Sequence, residues 1–283
     1  MASSSPRASV VVPTRDRPAA LARCLAALRR QEPGLEVVVV DDGSRDAGAV
    51  SAAAGGARVV RREGGGPAAA RNAGVAVSEG EVILFCDDDC EPEPGWARAL
   101  VATAVVSGVA SGRTVAPPGA GAPVLASQTV IDALQLDPDR GAGEELAFAP
   151  TCNLACRKDV LERVRFDERF PFAAGEDRDF SDRLGAAGFA PVYEPRGVVI
   201  HHQEPGVGAM LRRQYRYGRG AAHYLGKVGA RGRPAPGFRR RLLRRCMDER
   251  PAVAALAVAA LAVAGQAATA AGYLRERPRV TRF

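Results

Sequence analysis

Three short runs near the N-terminus, SVVVPTRD, EVVVVDDG and EVILFCDDD, each drive a stretch of apolar, mostly β-branched residues into polar or acidic ones. Such a run has no polar side, so a strand built from it must be covered on both faces. Strands are expected at 8–13, 36–41, 57–61 and 81–87. Helices are expected between and after them at 18–30, 67–77 and 94–106, the first opened by Pro18. This alternation predicts an α/β fold: a Rossmann-like, mostly parallel sheet with helices on both faces. Ligands of such sheets bind beyond the carboxyl ends of the strands, where the acidic clusters fall.

The chain has 283 residues, enough for one large domain with an appendage. The net charge of +7 is carried by arginine, with Lys158 and Lys227 the only lysines, and is concentrated after residue 205. The acidic N-terminal two-thirds argues against a nucleic-acid partner. Cys86, Cys90, Cys152 and Cys156 form two Cys-x3-Cys pairs, but the spacing is not a zinc double knuckle, and we read them as buried reduced thiols. The N-terminus has no apolar stretch of secretory length, so a cytoplasmic catalytic domain is expected, with 1–7 disordered.

Asp87, Asp88 and Asp89 would repel one another if all three shared a site. In an extended chain residues two apart point the same way, so Asp87 and Asp89 face one site and Asp88 the other side. Two convergent carboxylates suit a hard divalent ion, Mn²⁺ or Mg²⁺. Asp41 and Asp42 form a second pair. Position 40 is valine, which excludes a haloacid-dehalogenase-type Asp-x-Asp-Gly, and the later Thr and Lys of a receiver domain are missing.

The motifs VVVPTRDRP, VVVVDDGSRD, GGGPAAARNAG, ILFCDDDCEPEPGW and GEDRDF, in this order, resemble the family-2 glycosyltransferases of the GT-A fold over residues 8 to 225. The resemblance implies that Pro13, Thr14 and Arg15 line a nucleotide pocket and that Asp42 contacts the base with Arg71 beside it. It also implies that Asp87 touches the ribose or metal and Asp89 ligates the metal, leaving Asp88 a bystander. It makes Asp177 the base that deprotonates an acceptor hydroxyl, on a helix N-terminus that favours its ionised form. His201 becomes the further metal ligand, and Asn153 and Glu176 fall on the diphosphate or acceptor side. Relatives often have glycine where this chain has Cys152. Gln214-Tyr215-Arg216-Tyr217 is one residue short of the Gln-x-x-Arg-Trp of processive members, so polymer synthesis is not inferred.

Arg212, Arg213, Arg216 and Arg219 follow on one helix, and Arg216 and Arg219 are expected to clamp a diphosphate leaving group. The implied activity is inverting transfer of a sugar from a nucleoside-diphosphate donor, UDP first, to a hydroxyl acceptor. A nucleotidyltransferase is the alternative enzyme, though no Gly-rich basic loop follows strand one, and an inactive nucleotide-sugar binder is the non-enzyme reading. Residues 226–283 form a basic, Ala-rich helical tail. Its uncharged 251–274 segment is long enough to span a bilayer, and basic flanks suit an anionic membrane at the inner face.

Overall fold

The apolar runs of the N-terminal third become adjacent strands of one sheet. The computed structural model describes residues 7–32, 34–135, 142–170, 172, 174–229, 238–247 and 251–280, so the segment expected to be disordered lies, residue 7 apart, outside the described residues. Strand β1 (Ala8–Thr14) runs parallel to β2 (Glu36–Asp42) on one side and β4 (Val82–Phe85) on the other, and β3 (Arg58–Arg62) adds in parallel to β2. Past β4 the direction reverses. Strand β7 (Leu154–Arg157) is antiparallel to β4 and to β6 (Val109–Val115), β6 is parallel to β8 (Val192–His201), and β5 (Cys90–Pro92) closes the edge antiparallel to β8. The eight-stranded order is β3-β2-β1-β4-β7-β6-β8-β5. The expected α/β sheet is therefore mixed beyond β4.

Alternation along the strands feeds two cores. Val10, Val12, Val39 and Leu84 pack under α1 (Pro18–Leu28), α2 (Ala47–Ala54) and α4 (Trp96–Ser107), with Leu21, Leu25, Val50, Trp96 and Leu100. Val11, Val38, Val40, Ile83 and Phe85 pack under α3 (Gly66–Val77), α6 (Lys158–Arg163) and α7 (Glu176–Ala186), with Ala68, Val160, Phe180 and Leu184. A third core joins α5 (Ala122–Gln135), α8 (Val207–Val228), α9 (Phe238–Met247) and α10 (Ala252–Glu276) through Val130, Met210, Leu242 and Val258.

Helix α8 continues through residue 225, the end expected for the catalytic region, and α10 lies along it. A Cβ at Gly218 would fall 1.9 Å from the Thr269 carbonyl oxygen, and one at Gly272 2.0 Å from that of Tyr215. The two helices thus touch backbone to backbone, a spacing only small residues permit. Glu276 closes the contact by accepting from Arg219 Nε at 2.7 Å.

The β6–β8 pairing slips between Gly112 and Arg113. Such a bulge leaves ladder carbonyls unpaired, and buried carbonyls need donors. Asn153 supplies them: its Nδ2 donates to the carbonyls of Arg113 and Gly197, each at 3.0 Å, while its Oδ1 accepts from Trp96 Nε1 at 2.8 Å. Asn153→Ala would strand all three buried groups, so we expect a loss of about 3 kcal/mol or more in urea denaturation. Asn153→Asp should be similarly damaging, because a carboxylate cannot donate to either carbonyl.

Candidate active site

Strand β4 stops at Phe85, so the three aspartates occupy a turn closed by the Cys90 N–H donating to the Asp87 carbonyl at 3.0 Å. The side chains of Asp87 and Asp89 are 30% and 20% exposed and that of Asp88 is fully buried, but Arg17 grips Asp88 and Asp89 together while Asp87 goes to Arg71, so the turn does not follow strand alternation. Asp88 is no bystander, however. It accepts from Thr14 Oγ1 at 2.7 Å and sits 2.8 Å from Arg17 Nη2, tying the end of β1 to the acidic turn. Thr14 is thereby committed through its hydroxyl, whereas Pro13 is half-buried and Arg15 exposed.

Arg17, a residue sequence reasoning passed over, also donates from Nη1 to Asp89 Oδ2 at 2.7 Å. On the other side of Asp89, His201 Nε2 approaches Oδ1 at 3.5 Å. Burial pulls Asp89 upward, but the His201 contact and the Arg17 charge outweigh it and hold this carboxyl well below the usual range. Burial works against the His201 cation, yet its hydrogen bond to Asp89 and the carboxylate's charge raise it to about 9. Asp88 differs: burial, reinforced by the charges of Asp89 and Asp87, lifts it to about 7 against Arg17 and Thr14. Ligand atoms of Asp89, Cys90 and His201 lie within 4.8 Å of one another. Cys90 was absent from the sequence-based site; its thiol is kept protonated by burial, and all six cysteines are buried. His202 turns away to Glu91 at 3.0 Å.

Arg71 joins the acidic turn to α7. Its guanidinium is 4% exposed and donates to Asp87 at 2.9 Å and to Glu176 at 3.1 Å. The expected position beside Asp42 is corrected, since these two acids are what Arg71 grips. Asp42 instead accepts from the Gly66 N–H at 2.8 Å and lies 3.6 Å from Arg62, with its buried Oδ1 left without a hydrogen-bond partner. The second oxygen of Glu176 is likewise buried and unpartnered, and burial with the neighbouring Asp177 charge lifts this acid to about 7 despite Arg71.

Asp177 is the second residue of α7, whose N-cap Gly175 has a φ of +91° that sets the entry. One of its oxygens accepts from the Arg178 N–H at 2.8 Å. Burial raises its pKa above 3.8 despite that bond and the nearby Arg71 charge, and Asp87 adds to the rise.

Two of the expected diphosphate or acceptor contacts are corrected. Both Nδ2 hydrogens of Asn153 go to sheet carbonyls, its Oδ1 accepts from Trp96 of α4, and the residue is wholly buried, which turns it away from a ligand. Arg219 pairs with Glu276 and lies 4.5 Å over the Phe172 ring, on the α10 side of α8. Arg216 is exposed. Arg213 is the better placed neighbour: it donates to Ser127 Oγ at 2.7 Å, its Nε is buried without a partner, and Asp89 contributes to its electrostatic surroundings. Tyr217, on the next turn, titrates above its ordinary range through burial and feels both Asp177 and Asp89.

Arg71→Met would leave Glu176 buried beside Asp177 without its guanidinium. We expect a loss of about 3–5 kcal/mol in chemical denaturation, the scale for breaking a buried pair. Adding Glu176→Gln should restore part of it, because the uncompensated charge is then gone.

The description of glycosyl transferase family 2 matches residues 9–165. The pre-mycofactocin glycosyltransferase of Mycobacterium tuberculosis is 30% identical over 230 residues, which are 76% of this chain and 46% of that protein. The chain therefore spans about half the length of these mycobacterial relatives. Glycosyltransferase AglE of Haloferax volcanii is 30% identical over 233 residues, 78% of this chain and 74% of that one. Among solved structures, the mannosyltransferase PcManGT of Pyrobaculum calidifontis, in complex with GDP-Man and Mn²⁺, superposes with a TM-score of 0.60 at 22% identity, covering 95% of this chain and 76% of its own. TarS of S. aureus in complex with UDP-GlcNAc gives a TM-score of 0.55 at 16% identity, covering 96% and 90%. Both share the fold. The ordered motifs, the acidic turn at the end of β4 and the match over 9–165 together place this chain in glycosyl transferase family 2.

Proposed function

We propose that the chain transfers a sugar, with inversion, from a nucleoside-diphosphate donor to an acceptor hydroxyl, with Asp177 as general base and Mn²⁺ or Mg²⁺ held by Asp87, Asp89 and His201. The observation that carries this reading is the buried Arg71 bridge, which holds the acidic turn after β4 beside the Glu176-Asp177 helix start.

The donor set fits a divalent ion. The Asp89 carboxylate and the His201 imidazole approach one another, the buried, protonated Cys90 thiol leaves oxygen and nitrogen as the ligands, and Asp87, held by Arg71 in the same turn, adds its negative charge. An imidazole beside carboxylates suits Mn²⁺ better than Mg²⁺. Bound there, the ion would take up charge on the departing diphosphate. Arg17 must yield its hold on Asp89 for this ligation, and Arg213, with Arg216, supplies protein charge on the same side. The Asp42 oxygen that accepts no hydrogen bond, with Arg62 3.6 Å away, suits an N–H donor of the nucleobase, beside Pro13, Thr14 and Arg15. UDP is our first choice of carrier; the fold neighbours solved with GDP-Man and with UDP-GlcNAc support a nucleotide sugar without choosing between the two bases. The oxygen of Asp177 not held by Arg178 receives the acceptor's proton. Attachment to the inner face of a membrane through the C-terminal helices completes the reading, supported by a helix with a mean hydropathy of 1.9 between basic segments.

Calorimetric titration of UDP- and GDP-sugars with and without Mn²⁺ tests the donor; affinity indifferent to the metal for every donor would refute the metal-dependent reading. Asp89→Asn should abolish Mn²⁺-dependent binding while Asp88→Asn retains it, since Asp88 is buried behind the turn.

Asp177→Asn should leave nucleotide binding intact and lower transfer by about 10² or more. A base must be ionised, and a raised pKa means the proton is held to higher pH. Transfer should therefore fall on acidification along a limb centred above 3.8, as read from its rate against pH.

A further inference from the structure

Helix α10 presents two opposite faces. Ala255, Val258, Ala262, Gly265, Gly272 and Glu276 are buried against the protein. The other face carries Val253, Leu256, Ala260, Val263, Ala267 and Leu274, all exposed, at the three- and four-residue spacing of one helical stripe. The four large residues are 82%, 63%, 59% and 64% exposed. The stripe is about 32 Å long at 1.5 Å per residue and bears no charge until Arg275. A continuous apolar strip of this size marks an interaction surface.

Its surroundings say what covers it. On α9 the exposed positions 240, 243, 244 and 247 share one face and read Arg, Leu, Arg, Met, so basic and apolar groups point outward together. Arg275, Arg277 and Arg279 lie exposed at the far end. The one acid of α10, Glu276, is buried on Arg219 and His223. A second copy laid on the stripe would bring only further apolar and basic groups to it, because no exposed residue of α9 or α10 is an acid, and its arginines would go unneutralised. An anionic lipid surface accepts both the apolar strip and its basic ends.

The length of α10 would also cross a bilayer, but its inner face forbids that. Leaving the protein would break the backbone-close contacts at Gly218 and Gly272 and carry Glu276 away from its two cations. We propose that α10 and α9 dock in the plane of an anionic membrane interface, with the stripe in the lipid and the inner face still on α8. This rests on the membrane attachment proposed above and specifies its geometry and lipid chemistry.

The test is flotation of the full chain with phosphatidylcholine vesicles, with and without phosphatidylglycerol, followed by alkaline carbonate. We expect flotation with the anionic vesicles alone, release by carbonate, and at least a tenfold loss in Leu256→Glu/Val263→Glu and in Arg240→Glu/Arg244→Glu, each with an unchanged thermal midpoint. No flotation of the parent chain would overturn membrane attachment itself. Carbonate-resistant flotation would instead establish a span, flotation with neutral vesicles would remove the lipid charge from the account, and a dimer by light scattering that Leu256→Glu/Val263→Glu abolishes would assign the stripe to a second copy. Should the stripe variant misfold, the carbonate result on the parent and the exposed arginine variant still decide between docking and spanning.

Discussion

Everything at the candidate site depends on one buried guanidinium. Asp87 arrives from the end of β4 and Glu176 from the start of α7, and Arg71 holds both at hydrogen-bonding distance. A fully buried arginine is costly to desolvate, and here two carboxylates more than offset that cost, leaving its pKa raised. Its reach depends on α3 lying close to the sheet. Ala68, Ala69 and Ala70 are buried there, and a Cβ at Gly74 would fall 2.3 Å from a methyl of Val11. The small residues of GGGPAAARNAG thus serve to place one large cation.

Around that cation, a small region sorts its carboxyls by environment. Asp89, between His201 and Arg17, is strongly acidic, whereas Asp88, one residue back and sealed behind Thr14, titrates near neutrality. Glu176 and Asp177 are both raised, the first nearest to Arg71 and the second nearest to the backbone of its own helix start. Different affinities for protons on adjacent acids are what separates a cation-holding role from a proton-accepting one.

The parts legible in the sequence were those written in local pattern. Apolar runs announced β1, β2 and β4, Pro18 opened α1, and the acids sat at the carboxyl end of β2 and just past that of β4. What escaped is held by distant partners. Strand β6 and α5 fall in the stretch rich in small residues, where periodicity is faint, and the antiparallel β7 takes its direction from pairing with β4 and β6. Asn153 was placed near the acceptor because its motif lies there, yet the slip between β6 and β8 consumes its amide. Arg219 shares a helix with Arg213 and Arg216, but the acid it meets lies 57 residues further on. Spacing along a helix could not show which arginine faces which neighbour.

The backbone-close seam between α8 and α10 limits how the chain can be shortened. Ending it ahead of α10 would uncover Gly218 together with Met210, and would leave Arg219 and His223 without Glu276. The same helix that would be bared carries Arg213 and Tyr217 toward the acids. A fragment ended ahead of α10 would therefore keep every motif while stripping the support from the helix that overlooks them. The helix with the exposed apolar stripe and the cluster of acids are, in mechanical terms, braced by the same helix α8.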